Sequence, residues 1–407
     1  MHVLTRARKL WRRVPRARRA AEFDRAVAEF FMRIALEEAA RGVGRTSPNP
    51  AVGAILVKGG RIVARGYHRK AGTAHAEVVA LEAAGPRAQG ADLYTTLEPC
   101  DHWGRTPPCS RAILQAGVRR VICASSDPNP LVNGKGVARL RRAGVEVVTG
   151  VLRAEADALN RPFFKWVTQK RPYVTLKAAV TLDGKIASGA GDSRWITGQQ
   201  ARLLVHGLRD KVDAVLVGAN TVREDDPRLT TRLPGGAGRD AARVVVDSRL
   251  RLRPGHAVFS TRSGARVVVA TTLRADSRRA KAFAARGVEV WTVKARRGQV
   301  DLGALLKRLG AEGMLHVLVE GGARVFGSAL ADGLWDELWV FVAPKLVGAR
   351  GLTWSGELPV RRMAEALAVG ELKIQKVGQD VLLTARREAP ASRGGGAGPW
   401  RRRPRRS

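Results

Sequence analysis

Between His75 and Cys109 the chain sets an imidazole, a carboxylate and two thiols in a short span. His75-Ala76-Glu77 is followed by Pro99-Cys100 and, after eight intervening residues, by Cys109. One imidazole and two thiolates can fill three corners of a zinc tetrahedron and leave the fourth for water. Glu77 follows the imidazole too closely to be a fourth ligand and stands where a proton carrier is needed. Zinc brings the pKa of bound water toward neutrality, giving a hydroxide that can attack a ring carbon bearing an amine.

His-Ala-Glu alone is a weak signal, and any one of these cysteines read singly is a small buried hydrophobe. Two cysteines flanking Gly104-Arg105-Thr106-Pro107-Pro108 are harder to read that way. The zinc nucleobase deaminases use this layout, an H-x-E segment followed by P-C and a second cysteine. Their usual interval is two residues; the eight found here narrow the family. Cys123 lies in a strand-like stretch, 118–124, and reads as core.

A chain of 407 residues with 45% apolar content suggests two domains with real cores. Three cysteines do not make a disulfide framework, so a reducing, cytoplasmic setting is expected. There is no run of eighteen apolar residues, hence no expected membrane span, and 1–21 is too rich in arginine for a signal peptide. The formal charge of +36 invites a nucleic-acid reading. Much of it lies at the ends, with eight Lys or Arg in 1–19, six Arg in 389–407 and no acid in either. Such blocks are usually solvated tails. The tails (1–21, 388–407) are read so, with nucleic acid at most an incidental contact.

Apolar residues at helical spacing (Phe23, Val27, Phe30, Ile34, Ala35) predict a helix over 22–42. A turn at 46–50 leads to strand 51–58, and Gly59-Gly60 closes a hairpin into strand 61–66. A helix spans 75–84, strand 92–97 runs to Pro99-Cys100, and Cys109 opens a further helix. Helix starts favour thiolates and anions. Strand 120–125, a helix near 136–143 and strand 145–149 complete a domain over 22–150. Residues 151–171 read as a helix and connector, with Pro162 and Pro172 as breakers. A second domain, 172–387, has strands at 173–180, 214–218, 243–247, 266–271, 288–293, 315–320, 337–342 and 381–385. Helices such as 199–211 and 302–309 alternate with them, indicating a largely parallel sheet covered on both faces. Strand 315–320 runs into Gly321-Gly322 and a helix over 323–330, a junction at which backbone N–H groups can meet a phosphate.

From Glu22 to Arg387 the chain resembles the RibD family of bifunctional riboflavin-biosynthesis enzymes. The first half carries Thr46-Ser47-Pro48-Asn49-Pro50, Gly66-Tyr67-His68, His75-Ala76-Glu77, Leu97-Glu98-Pro99-Cys100, the loop to Cys109, and Asp127-Pro128-Asn129-Pro130. The second carries Leu182-Asp183-Gly184-Lys185, Ser193-Arg194-Trp195-Ile196-Thr197, Asp225-Asp226-Pro227, Glu320-Gly321-Gly322 and Ala343-Pro344-Lys345-Leu346. The family's cysteine interval is the one found here. The resemblance implies a cytidine-deaminase-like three-layer α/β/α domain followed by a dihydrofolate-reductase-like α/β domain. It implies zinc-dependent deamination of 2,5-diamino-6-ribosylamino-4(3H)-pyrimidinone 5′-phosphate, then NADPH reduction of the ribosyl side chain to ribityl.

By the same resemblance His75, Cys100 and Cys109 hold one zinc, and Glu77 is the catalytic acid–base. Asn49, His68, Arg105, Asp127 and Asn129 line the deaminase pocket, with Arg105 meeting the phosphate. Ala179, Trp195, Thr221, Asp225, Ser248 and the run Gly322, Ala323, Arg324, Val325, Phe326, Gly327 and Ser328 contact NADPH. Ser193, Arg209, Leu229, Arg232 and Glu320 contact the reductase substrate. Lys177 is the candidate for charge or proton supply at the reduced centre. A small phosphorylated pyrimidine is the expected partner, in a homo-oligomeric enzyme. The alternative, a tRNA-type zinc deaminase gripping phosphates with basic tails, predicts Cys-x-x-Cys spacing and leaves 172–387 without a role. A degenerate binding protein is disfavoured because the three ligands and Glu77 are all present.

Overall fold

The structure is a computed structural model that describes residues 24–104, 106–236 and 238–387. The basic tails and Arg105 therefore lie outside the described residues. The chain divides into two units at Lys170/Arg171.

In the first unit α1 (Arg25–Ala40) is capped by Asp24, whose carboxylate accepts from the Ala26 N–H at 2.9 Å. There follow β1 (Gly53–Lys58), β2 (Arg61–Tyr67), α2 (Ala76–Ala84), β3 (Asp92–Leu97), α3 (Cys109–Gln115), β4 (Arg120–Ser125), α4 (Lys135–Arg142), β5 (Glu146–Thr149) and α5 (Arg153–Gln169). The sheet order is β2-β1-β3-β4-β5; β1 is antiparallel to β2 and β3, and the rest is parallel. Strand alternation sends Ile55, Tyr94 and Ile122 to one face, against Phe31, Met32 and Ala156. Leu56, Leu93 and Cys123 go to the other, against Ala80, Ile113 and Leu140. Helices thus cover both faces, giving three layers, and Cys123 is core.

The segment expected to be a connector is part of this unit. Pro162 stands inside α5 instead of ending it. The proline forfeits one backbone bond. The helix persists because Ala156, Asn160, Phe163 and Val167 form a buried stripe, and the Asn160 amide makes two 2.9 Å bonds with the Ala51 backbone.

The second unit contains β6 (Tyr173–Thr181), β7 (Lys185–Ala187), α6 (Gln199–Lys211), β8 (Ala214–Gly218), α7 (Ala219–Asp225), β9 (Ala242–Val246), α8 (Ala257–Ser260), β10 (Val267–Thr271), α9 (Ser277–Ala284) and β11 (Glu289–Thr292). It continues through β12 (Ala295–Arg296), β13 (Gln299–Val300), α10 (Leu302–Ala311), β14 (His316–Gly321), α11 (Ala323–Ala331), β15 (Glu337–Ala343), β16 (Leu352–Thr353), β17 (Leu372–Val377) and β18 (Asp380–Arg386). Nine strands form one sheet, ordered β11-β10-β9-β8-β14-β6-β15-β18-β17. It is parallel from β11 to β15, as expected, and β18 and β17 add an antiparallel edge. Leu176, Leu216 and Val319 pack on one face against Leu305 and Phe326, and Val215, Val217 and Val245 on the other against Leu208, Val222 and Phe283. Burial on both faces is why these strands read as unbroken apolar runs. Among the described residues no helix is long and apolar enough to cross a membrane.

Candidate metal centre and reductase site

Three connections in the first unit converge on one point. His75 is the N-cap of α2, Cys109 opens α3 behind Pro107-Pro108, and Cys100 sits in the turn that follows β3. His75 Nδ1 lies 3.1 Å from Cys109 Sγ and 3.6 Å from Cys100 Sγ, and the three donor atoms fall within 4.8 Å of one another. A zinc tetrahedron with ordinary bond lengths has an N-to-S edge of about 3.6 Å, so this donor set fits that ion. The Cys109 N–H donates to Cys100 Sγ at 3.4 Å. The Cys100 thiol is driven well down by the Cys109 thiol and the His75 imidazole, which makes it the ready thiolate of the pair. Thr106, in the loop between the cysteines, places its hydroxyl 3.5 Å from His75 Nε2, on the side of the ring away from the sulfurs.

Glu77 is 3% exposed, with Oε2 at 3.7 Å from Cys109 Sγ. Burial pushes its carboxyl up to about 7, the range in which a group can both take and return a proton.

His68 Nδ1 faces the Ala74 carbonyl oxygen at 3.1 Å, and a carbonyl can only accept. The Nδ1 therefore carries the hydrogen, and Nε2 accepts from Asn49 Nδ2 at 3.1 Å. That fixes the Asn49 amide with its oxygen free to meet a donor. Burial lowers the His68 pKa, in keeping with a neutral ring. Asp127 is buried and its carboxyl is pushed up to about 6 by burial, while Asn129 follows it on the same loop.

In the second unit the register of β14 on β6 sets Glu320 next to Lys177. Arg209, from α6, grips Glu320 through Nε at 2.5 Å and Nη2 at 2.8 Å, and Lys177 Nζ lies 3.9 Å from the same carboxylate. Burial acts to raise the Glu320 carboxyl, but the Arg209 guanidinium outweighs it and holds the group below the ordinary range. Burial lowers the Lys177 pKa. Arg209 also donates to the Thr230 carbonyl at 2.9 Å, and the Arg232 N–H donates to His206 Nδ1 at 3.2 Å. Leu229, between these, is buried with φ +55°.

Several remaining candidates lie on segments that follow the carboxyl ends of parallel strands: Thr221 and Asp225 on α7 after β8, Ser248 after β9, and 322–328 after β14. Ser193 Oγ donates to Asp225 at 2.7 Å. Trp195 is 66% exposed, with Arg202 stacked 4.7 Å from its ring centre. Gly322 has φ +60°, and a Cβ there would stand 3.1 Å from the Thr221 hydroxyl, so glycine opens the start of α11. Ala179 shares a face of β6 with Lys177. Three candidates have their side-chain or Cα surroundings inside the protein. Phe326 points into the core at 2% exposure and Gly327 packs toward the Ser355 carbonyl, because a helix turning every 3.6 residues cannot offer seven successive side chains to one ligand. The Ser248 hydroxyl is engaged internally, donating to Gln299 at 3.0 Å and accepting from the Val300 N–H at 2.9 Å.

Comparison with known proteins joins the two units. Residues 25–125 match the cytidine and deoxycytidylate deaminase zinc-binding region, and residues 172–383 match the RibD C-terminal domain. The riboflavin biosynthesis protein RibD of Aquifex aeolicus is 44% identical over 363 residues, spanning 89% of this chain and 99% of that protein. The Escherichia coli protein of the same name is 41% identical over 369 residues, spanning 87% and 98%. The crystal structure of a diaminohydroxyphosphoribosylaminopyrimidine deaminase/5-amino-6-(5-phosphoribosylamino)uracil reductase from Thermotoga maritima superposes with a TM-score of 0.79 at 38% identity, over 89% of this chain and 99% of that one. Acinetobacter baumannii RibD gives 0.81 at 37%, over 90% and 100%.

Fold and site together define a two-activity enzyme, a cytidine-deaminase-like zinc unit followed by a dihydrofolate-reductase-like unit that uses NADPH. Within that class, the chain belongs to the RibD family of riboflavin-biosynthesis proteins. The tRNA-type reading gives no account of 172–383 and is not favoured.

Proposed function

We propose that the first unit deaminates 2,5-diamino-6-ribosylamino-4(3H)-pyrimidinone 5′-phosphate and that the second reduces the ribosyl side chain of the product to ribityl, giving 5-amino-6-ribitylamino-uracil 5′-phosphate. The observation that carries the proposal is the convergence of His75 Nδ1 and two cysteine sulfurs beside the buried Glu77 carboxylate.

His75, Cys100 and Cys109 are the ligands of the zinc. When bound, zinc supplies Lewis acidity that makes water nucleophilic near neutral pH. Glu77 takes a proton from the attacking water at Oε2 and returns it to the leaving nitrogen, so that ammonia departs. The free oxygen of Asn49 receives an N–H of the pyrimidine, and Asp127 and Asn129 hold its other edge. Arg105 is assigned to the phosphate.

NADPH supplies the hydride of the second step. Trp195, Thr221, Asp225 and the start of α11 orient it. Lys177 Nζ supplies the proton that the imine nitrogen takes up as its carbon receives the hydride. Glu320, clamped by Arg209, receives the hydroxyls of the chain, and Ser193, Leu229 and Arg232 complete that pocket.

The setting is cytoplasmic, the enzyme is a homo-oligomer, and nucleic acid is not a partner. Support for the compartment comes from the cysteine inventory, three in 407 residues, which is too few for a disulfide framework.

The test is a coupled assay on the diaminopyrimidinone phosphate that follows ammonia and NADPH absorbance together. Ammonia release is expected first, with NADPH consumed in equal amount. NADPH consumption without ammonia, or neither signal from zinc-loaded enzyme, would overturn the proposal.

A further inference from the structure

One buried acid of the first unit is left unused by this chemistry. Glu98 follows β3 directly, precedes Pro99-Cys100 and is 4% exposed. A carboxylate at that depth needs partners, and here they are main-chain amides. Its Oε2 accepts from the Gly134 N–H at 3.0 Å and the Asp127 N–H at 3.5 Å, and its Oε1 accepts from the Val137 N–H at 3.3 Å. Two of these amides stand at opposite ends of one loop, 127–134, and the third belongs to the first turn of α4. That helix has no cap of its own, since its N-cap is Gly134 and its first turn holds no acid. Glu98 supplies from another segment the acceptor that an N-cap side chain normally gives.

The approach is close. A Cβ on Gly136 would stand 1.8 Å from the Pro99 carbonyl oxygen, so only glycine lets α4 reach the Cys100 turn. On the other side of Cys100, Asp101 accepts from Ser110 Oγ at 2.5 Å and from Arg139 of α4 at 3.1 Å. The loop is braced internally: Asp127 Oδ1 accepts from the Asn129 N–H at 2.8 Å, and Asn129 Oδ1 from the Leu131 N–H at 3.1 Å. The Glu98 carboxylate, with the Arg139–Asp101 pair, bridges this loop and α4 to the segment around Cys100.

We propose that Glu98 is a positioning residue of the deaminase, whose carboxylate ties both ends of the 127–134 loop to the Cys100 turn and so holds Asp127 and Asn129 in register with the metal ligands. This rests on the reading of Asp127 and Asn129 as pocket residues. Glu98→Gln keeps the volume but turns an amino group toward a backbone N–H, so one tie is lost.

In the full-length, zinc-loaded enzyme Glu98→Gln is expected to raise KM for the diaminopyrimidinone phosphate about tenfold to a hundredfold, with kcat within about threefold. Zinc stoichiometry and NADPH oxidation on deaminated substrate stay unchanged. Glu98→Asp, which keeps the charge on a shorter stem, is expected to fall between. A wild-type KM in folded Glu98→Gln, or activity lost only in proportion to zinc, overturns the proposal. Should Glu98→Gln not fold, Glu98→Asp carries the same readouts. Hydrogen exchange in the wild type adds a further check: the Gly134 and Val137 amides are expected to be protected, and free-chain rates there overturn the proposal. Asp127→Ala and Asn129→Ala separate the two possible failures. If they raise KM and Glu98→Gln does not, positioning fails alone; if they too leave KM unchanged, the pocket reading fails with it.

Discussion

Burial raises the Glu77 carboxyl and lowers the Lys177 amine, and under the proposed function each serves one reaction only. Glu77→Gln preserves the shape of the side chain and removes its capacity to carry a proton. Ammonia release is expected to fall by about a hundredfold or more, while zinc content and NADPH oxidation on pre-deaminated substrate stay intact. Loss of both activities together would argue against separable sites. Lys177→Met keeps the stem and leaves Glu320 clamped by Arg209. The turnover number for NADPH oxidation should drop by about the same factor, with ammonia release untouched; stopped-flow absorbance decides it. The zinc ligands were legible in sequence because ligation needs scarce residue types at fixed intervals. The clamp was not legible as a pair, because its members lie 111 residues apart and only the sheet brings them together. Nor could sequence reveal the His68 tautomer, which depends on the carbonyl of Ala74.

At the scale of elements, docking decides what local propensity leaves ambiguous. A proline inside 153–169 reads locally as a break, yet α5 continues because Asn160 pins it to Ala51, two residues from Asn49. Asn160→Ala would strand a buried N–H and a buried carbonyl. The expected cost is about 2–4 kcal/mol, seen as a lower unfolding midpoint of the first unit. Thr168→Ala, on the exposed side of the same helix, should cost under about 0.5 kcal/mol. Equal shifts in the two variants would refute the docking argument. The parallel strands of the second unit were readable as apolar runs because both faces are covered. β17 is harder to read: Leu372-Lys373-Ile374-Gln375 alternates over four residues only, and Leu372 to Lys376 are all exposed at the sheet edge. Within the run 322–328, helical rotation sends the Phe326 side chain to the core, which a string of seven residues does not announce.

For the molecule as a whole, length and composition announced two cores, and the charge of +36 said nothing of fold. Two units with separate chemistry should fail separately. Chelation is expected to stop ammonia release, restored by added zinc, while NADPH oxidation on deaminated substrate continues; a parallel loss of both would contradict this. Acid should act on the second unit through His316, half-buried against the Thr175 hydroxyl at 2.9 Å, its pKa pushed down to about 4 by burial. The unfolded ring titrates at about 6.5. Below that pH the unfolded chain takes up a proton that the folded chain refuses, so stability is fully present above about 6.5 and drains away as pH falls to about 4. The carboxylates held low, Glu320 and Glu289, surrender their contribution only below the ordinary carboxylate range, which leaves the interval from about 6.5 to 4.5 to histidine. Between pH 7 and 5 the loss from His316 is about 1–2 kcal/mol. Urea unfolding followed by the fluorescence of buried Trp291 and Trp335 measures it. His316→Gln, which retains a partner for Thr175 without the titration, should lessen the dependence over that interval, the remainder belonging to His206, which burial also holds down at about 4; identical curves for variant and wild type would remove His316 from the account.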